Sequence, residues 1–250
     1  MTATTSGSPL KPSIWAGAWT ALLALVFVAT TALTIGIWLG DATYTDTNPV
    51  TDLGFLMLGG IITTGFGSQV RASTRHPAGA LQALIGSVCL GVAGAAGQRI
   101  EPAVGGLVLA VAASVMVLRH RGWSLRLADG LRPPIAVLAV TAVVAGGWYA
   151  SEMLILAQGA GPSCFLGRCV TGDRYAELAA LALAIAGLAI MVAIGANSRR
   201  LTAWSASAAA ATLGGISVLL PAAAGSLGVL GGVGAIVWAA LFLTFTQHRS

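Results

Sequence analysis

Charged side chains occupy only 8% of the 250 positions, against about 25% in an ordinary soluble domain. A chain so poor in charge cannot cover its own surface in water, which excludes a soluble globular fold. Aromatic residues are also few, at 6%, and there are only three cysteines and three histidines. The cysteine number excludes a disulfide-dense scaffold. His76, His120 and His248 all fall beside arginines at the ends of apolar runs, so no pair stands within a run at matched depth to ligate a haem. No metal site and no cofactor are expected. The net charge of +5 and pI near 9.7 come from arginines scattered singly between apolar stretches, a pattern that argues against a nucleic-acid partner.

What the chain does have is 56% hydrophobic residues and 33 glycines. A helix rises about 1.5 Å per residue, so crossing a hydrocarbon layer of about 30 Å takes about 20 apolar residues. Eight runs meet that requirement: 14–39, 52–70, 78–97, 103–119, 134–158, 176–195, 202–221 and 226–246. The first follows Lys11 and Pro12 and is longer than a signal-peptide core, so it reads as a retained span behind a disordered tail, 1–10. The fourth is the shortest and follows the brief connection from Gln98 to Pro102. A re-entrant hairpin is the alternative at that point.

Lysine and arginine are retained on the cytoplasmic side of a membrane. With the N-terminus inside, the inner segments hold ten basic residues (Lys11, Arg71, Arg75, Arg119, Arg121, Arg126, Arg132, Arg199, Arg200 and Arg249) and the outer ones hold three, Arg99, Arg168 and Arg174. Acidic residues run the other way, with Asp41, Asp46, Asp52, Glu101, Asp173 and Glu177 outside and Asp129 inside. Both termini are therefore expected in the cytoplasm of a bacterial cell, with the chain in the plasma (inner) membrane.

Shifting the sequence against itself by 128 positions pairs Arg71 with Arg199, Gly86 with Gly214, Gly97 with Gly225 and His120 with His248. Fourteen of the 55 positions from 67 to 121 are identical under this shift, and the matches include the rare residue types. The fold class that follows is an all-α integral membrane protein of eight transmembrane helices arranged as two tandem, parallel four-helix repeats, 11–121 and 134–250, joined by a cytoplasmic linker, 122–133. Four crossings return the chain to its starting side, so the repeats share one orientation.

Few residues could carry chemistry. Glu152, in the stretch Trp148-Tyr149-Ala150-Ser151-Glu152, is the one ionisable residue read as inside a helix, since Asp52, Arg119 and Glu177 stand at the ends of their runs. A carboxylate in lipid is expensive, so Glu152 is expected to face the bundle, a partner or water, either in a coupling or substrate site with Tyr149 and Trp148 as its companions or as an interfacial carboxylate reaching outer water. Cys164 and Cys169 lie in an outer loop with four residues between them, a spacing that suits a structural disulfide rather than a Cys-x-x-Cys redox pair. Cys89, inside the third run, reads as a small packing residue. Arg71, Arg75, Arg199 and Arg200 mark inner turns suited to lipid headgroups or a partner. Small residues recur at four-residue spacing, as in Gly147 with Ser151 and Gly228 with Gly232, which lets helix backbones approach closely.

No cluster of His, Asp, Glu or Cys can be assembled at one depth, so the leading expectation is a membrane component that is not an enzyme, a transport-related or accessory subunit of a membrane complex. The alternatives are a self-contained small transporter with its pathway between the repeats and Glu152 as coupling acid, and a membrane sensor module or lipid-modifying enzyme. Expected partners are the lipid bilayer and another membrane subunit or a second copy of the chain.

Overall fold

In the computed structural model the described residues are 17–25, 28, 48–69, 77–119, 132–160, 171–195 and 199–247. All regular structure among them is helical. After a first helical segment, α1 (17–25), come α2 (Pro49–Ser68), α3 (Ala78–Ala96), α4 (Ile100–Arg119), α5 (Pro133–Gly159), α6 (Thr171–Ala193), α7 (Arg199–Leu219) and α8 (Gly228–Gln247). The seven helices from α2 onward are long and apolar enough to cross a membrane, and the chain is a multi-pass membrane protein in a lipid environment.

The helix starts follow from local chemistry. Asn48 caps α2 by accepting a hydrogen bond from the Val50 N–H at 3.1 Å, with Pro49 in the first turn and Asp52 close behind, so the donor, the fixed φ and the negative charge all suit a helix N-terminus. Pro133 and Pro134 open α5 in the same way. α4 is a continuous helix of 20 residues, which replaces the re-entrant alternative with a full-length span. α6 starts at Thr171, ahead of the expected 176. Its polar first turns, with Asp173 near the positive helix end, are part of the helix rather than of a loop.

Consecutive spans pair as the antiparallel hairpins α3–α4, α5–α6 and α7–α8, and α6 also packs against α2, α3 and α7. The central position of α6 shows in its burial: 78% of its apolar window is inside, against 50% for α2, α3 and α7 and only 28%, 22% and 17% for α4, α5 and α8. Four helices thus form an inner layer and three an outer one. Because lipid tails are as apolar as leucine, these contacts depend on close packing rather than on escape from water. The α3–α4 crossing illustrates this: a Cβ on Gly106 would run into the backbone of Gly91 and lie 2.8 Å from the Ser87 carbonyl. On the other flank Trp19 of α1 stacks on Phe66 of α2 with ring centroids 6.2 Å apart.

Candidate functional site

The charged residues that the sequence distributes over outer loops converge at one end of the bundle, where α2, α4, α6 and α8 begin and α3, α5 and α7 finish. The convergence starts with the α3–α4 turn. Gln98 takes a left-handed conformation, φ 58°, its N–H donates to the Ala95 carbonyl, and the Arg99 N–H donates to the Gly94 carbonyl at 2.7 Å. This pair of bonds is a Schellman closure, in which glycine usually occupies the left-handed position. It reverses the chain within three residues and turns Arg99 inward, where only 4% of its surface remains exposed.

The Arg99 guanidinium donates to the Ala157 carbonyl and, at 2.5 Å, to the Ala160 carbonyl. Both belong to the C-terminal end of α5, whose last carbonyls have no partner within the helix and carry partial negative charge. Its Nε also lies 4.0 Å from Asp173 Oδ1 in the first turn of α6. One cation therefore joins the end of α5 to the beginning of α6. The path is open only because residue 172 is glycine; a Cβ there would overlap the guanidinium.

A second arginine continues the cluster. Arg174 reaches Glu177 at 3.1 Å and Asp52 of α2 at 3.8 Å, and its guanidinium lies 4.3 Å from the centroid of the Phe55 ring, a cation–π arrangement. Neutral bonds close the same end. Asn48 Nδ2 donates to the Ala224 carbonyl, Tyr149 Oη to the Gly225 carbonyl, and Gln158 Nε2 to the Ala96 carbonyl at 2.8 Å. The α7–α8 turn is thereby fastened to α2 and α5.

The residues singled out from sequence separate in space. Tyr149 is buried and belongs to the charged end through Gly225. Trp148 is 72% exposed, and Glu152 is exposed on the same outer face of α5. Of the orientations expected for Glu152, the one toward the bundle is excluded: the inward face of α5 is taken by Ala139, Ala142, Tyr149, Ala150, Met153 and Ala157, and helical periodicity turns residue 152 away from it. Nor is Glu152 the one ionisable residue within a helix, since Asp52, Glu101, Asp173, Arg174 and Glu177 are helical too. Cys164, Cys169, Arg71 and Arg75 lie outside the described residues. Arg199 opens α7 and Arg200 is exposed beside it. Cys89 is half-buried and packs against the core. Among the described residues no group of three or more His, Cys, Asp or Glu is placed to hold a metal ion.

A smaller polar junction lies in the other half of the bundle, between α2, α3 and α7. Gln82 is fully buried, and its Nε2 stands 3.0 Å from the Ile61 carbonyl, Thr64 Oγ1 and Ser205 Oγ. The Ile61 carbonyl can only accept, so the amide nitrogen must face it and the amide orientation is fixed. Gln82 Oε1 is then left buried without a hydrogen-bond partner, as is Thr202 Oγ1 on α7.

Sequence reasoning missed both clusters because it treated charge as a loop property. One signal was present: only Gly97, Gln98 and Arg99 separate α3 from α4, a connection too short to carry Arg99 far from the helix ends. No known family model matches this chain, and no curated protein or solved structure matches it either.

Proposed function

We propose that this protein is a non-enzymatic membrane component, a transport-related or accessory subunit that packs against a larger membrane assembly. One observation carries the reading: the buried charges at the Arg99 end are engaged with one another and with helix-end carbonyls, while α4, α5 and α8 turn broad apolar faces outward. Ionic chemistry here serves to join helices, and the outer layer offers surface. Purification in a mild detergent tests the proposal. A stoichiometric membrane partner is the expected result, and turnover of labelled lipid by the isolated chain would overturn it.

The proposed organisation is two tandem four-helix units with both termini in the cytoplasm of a bacterial cell. Its support is the 128-residue shift, which carries the bounds of α4, 100 and 119, onto those of α8, 228 and 247, and the mutual packing of α2 and α6, each of which also contacts α3 and α7. The ten-to-three division of basic residues supports the orientation, which puts the Arg99 end outside the cell. There Cys164 and Cys169 would pair in an oxidising compartment, and a free-thiol count of one rather than three on unreduced protein checks it.

A second reading, a small transporter with its pathway between the units, is favoured by the unpartnered Gln82 Oε1 where α2 and α3 meet α7. A shift in thermal stability with one solute, lost in Gln82→Leu, would support it over the accessory role.

A further inference from the structure

The Gln82 junction holds more hydrogen-bonding capacity than its own side chains use. Three oxygens, the Ile61 carbonyl, Thr64 Oγ1 and Ser205 Oγ, each stand 3.0 Å from Gln82 Nε2, but an amide nitrogen carries only two N–H groups. Thr64 has placed its own proton by donating to the Gly60 carbonyl at 2.7 Å. Ser205 has not. Its oxygen faces a nitrogen that only donates, and its hydroxyl proton meets no acceptor among the described residues.

Two buried oxygens are in the complementary position. Gln82 Oε1 is without a partner, and so is Thr202 Oγ1, on a residue only 1% exposed. Thr202 precedes Ser205 by three positions on α7, so the two side chains are neighbours on one face, with Cβ atoms about 5–6 Å apart. Gln82 Oε1 shares a carbon with the nitrogen that Ser205 contacts. The three unmet groups therefore gather within one helical turn of α7, where it meets α2 and α3.

We propose that this junction binds a water molecule, which donates to Gln82 Oε1 and Thr202 Oγ1 and accepts from the Ser205 hydroxyl. Two bonds of about 2.8 Å match the span between the two α7 side chains, and three partners is the usual number for a buried water. A cation does not suit the site. Every group in it is neutral, so an ion would give up its hydration without an opposite charge nearby.

The way in is short. Thr202 is three residues from the start of α7, Gln82 four from the start of α3 and Thr64 four from the end of α2, about 4–6 Å of helix in each case. Thr64 itself is exposed and Ser205 only half-buried. The water ties α7 to α3 through Thr202 as well as Ser205, and the inference is independent of the accessory-subunit reading.

Thr202→Val distinguishes an idle hydroxyl from a hydrated one, because valine keeps the shape and removes the oxygen. An idle Oγ1 makes the substitution stabilising. With the water in place, the unfolding constant of the full chain in detergent, read by denaturant titration, should instead rise about fivefold. In a Gln82→Leu background the same substitution should matter by less than about twofold. An unfolding constant unchanged or lowered by Thr202→Val, or an equal loss with and without Gln82, would overturn the proposal. So would a loss that depends on sodium when sodium chloride is exchanged for choline chloride, since that assigns the site to a cation. If Thr202→Val does not fold, a density map of the unmodified protein that orders water decides. One peak within hydrogen-bond distance of Gln82 Oε1, Thr202 Oγ1 and Ser205 Oγ is expected, and its absence there sinks the idea.

Discussion

The two halves of the bundle are held together by different means. At the Arg99 end, side chains from α2, α4, α5 and α6 meet as ion pairs and as bonds to helix-end carbonyls. In the other half the polar ties between spans among the described residues are neutral, the Gln82 amide joining α2, α3 and α7 and the Trp238 indole donating to the Leu138 carbonyl of α5. The contrast shows what charge can do near the edge of a membrane. Arginine and aspartate at helix ends need only short reaches to neutralise one another and the helix dipoles, whereas toward the opposite end a neutral amide joins three helices without an ion to desolvate.

The sharpest way to break this contrast is Arg99→Ala. The substitution leaves Asp173 buried without its cation and two α5 carbonyls without their donor, and a loss of about 3 kcal/mol or more is expected, read as a lowered midpoint in denaturant titration of the detergent-solubilised protein. A loss under about 1 kcal/mol would mean that the cluster does not hold the bundle. Gly172→Ala should cost less, about 1–3 kcal/mol, by overpacking against the guanidinium. The same change in an Arg99→Ala background should cost much less, and a double-mutant cycle measures the coupling; strict additivity would separate Gly172 from Arg99.

Effects in the other half should be smaller. Gln82→Leu takes a donor from Ser205 and the Ile61 carbonyl, a loss of about 1–3 kcal/mol for one missing partner, but it also removes the buried Oε1 that has none within the chain, and the two effects largely offset each other. A change within about 1 kcal/mol is expected, and a loss matching that of Arg99→Ala would abolish the distinction between the halves. The smallest effect belongs to Gln98→Gly. A non-glycine residue in the left-handed region carries strain of about 1–2 kcal/mol, part of which glycine returns as extra freedom in the unfolded chain, so a gain of up to about 1 kcal/mol in thermal stability should follow.

Much of the architecture was legible because it depends on run length. Seven of the eight apolar runs coincide with long helices to within a few residues, and the prolines at 133 and 134 mark the start of α5. Burial of charge was not legible, because a positive-inside tally treats each arginine as solvated. Arg99 and Arg174 were assigned to the outer surface, and what distinguishes them is a three-residue turn and a glycine at 172, features that acquire meaning only when α5 and α6 are side by side. For Glu152 the sequence left the bundle, a partner and water open; the inward stripe of α5, from Ala139 through Met153 to Ala157, closes the first.

The central place of α6 also bears on how the protein is made. The helix on which α2, α3, α5 and α7 all close leaves the ribosome after α2, α3 and α5. Until it arrives, the surfaces of α2 and α3 that will meet it, at Gly54 and Ile85, have only lipid or the insertion machinery for company. Synthesis halted after α5 would leave hairpins without their keystone, and quality control in the membrane would meet the nascent chain at that stage.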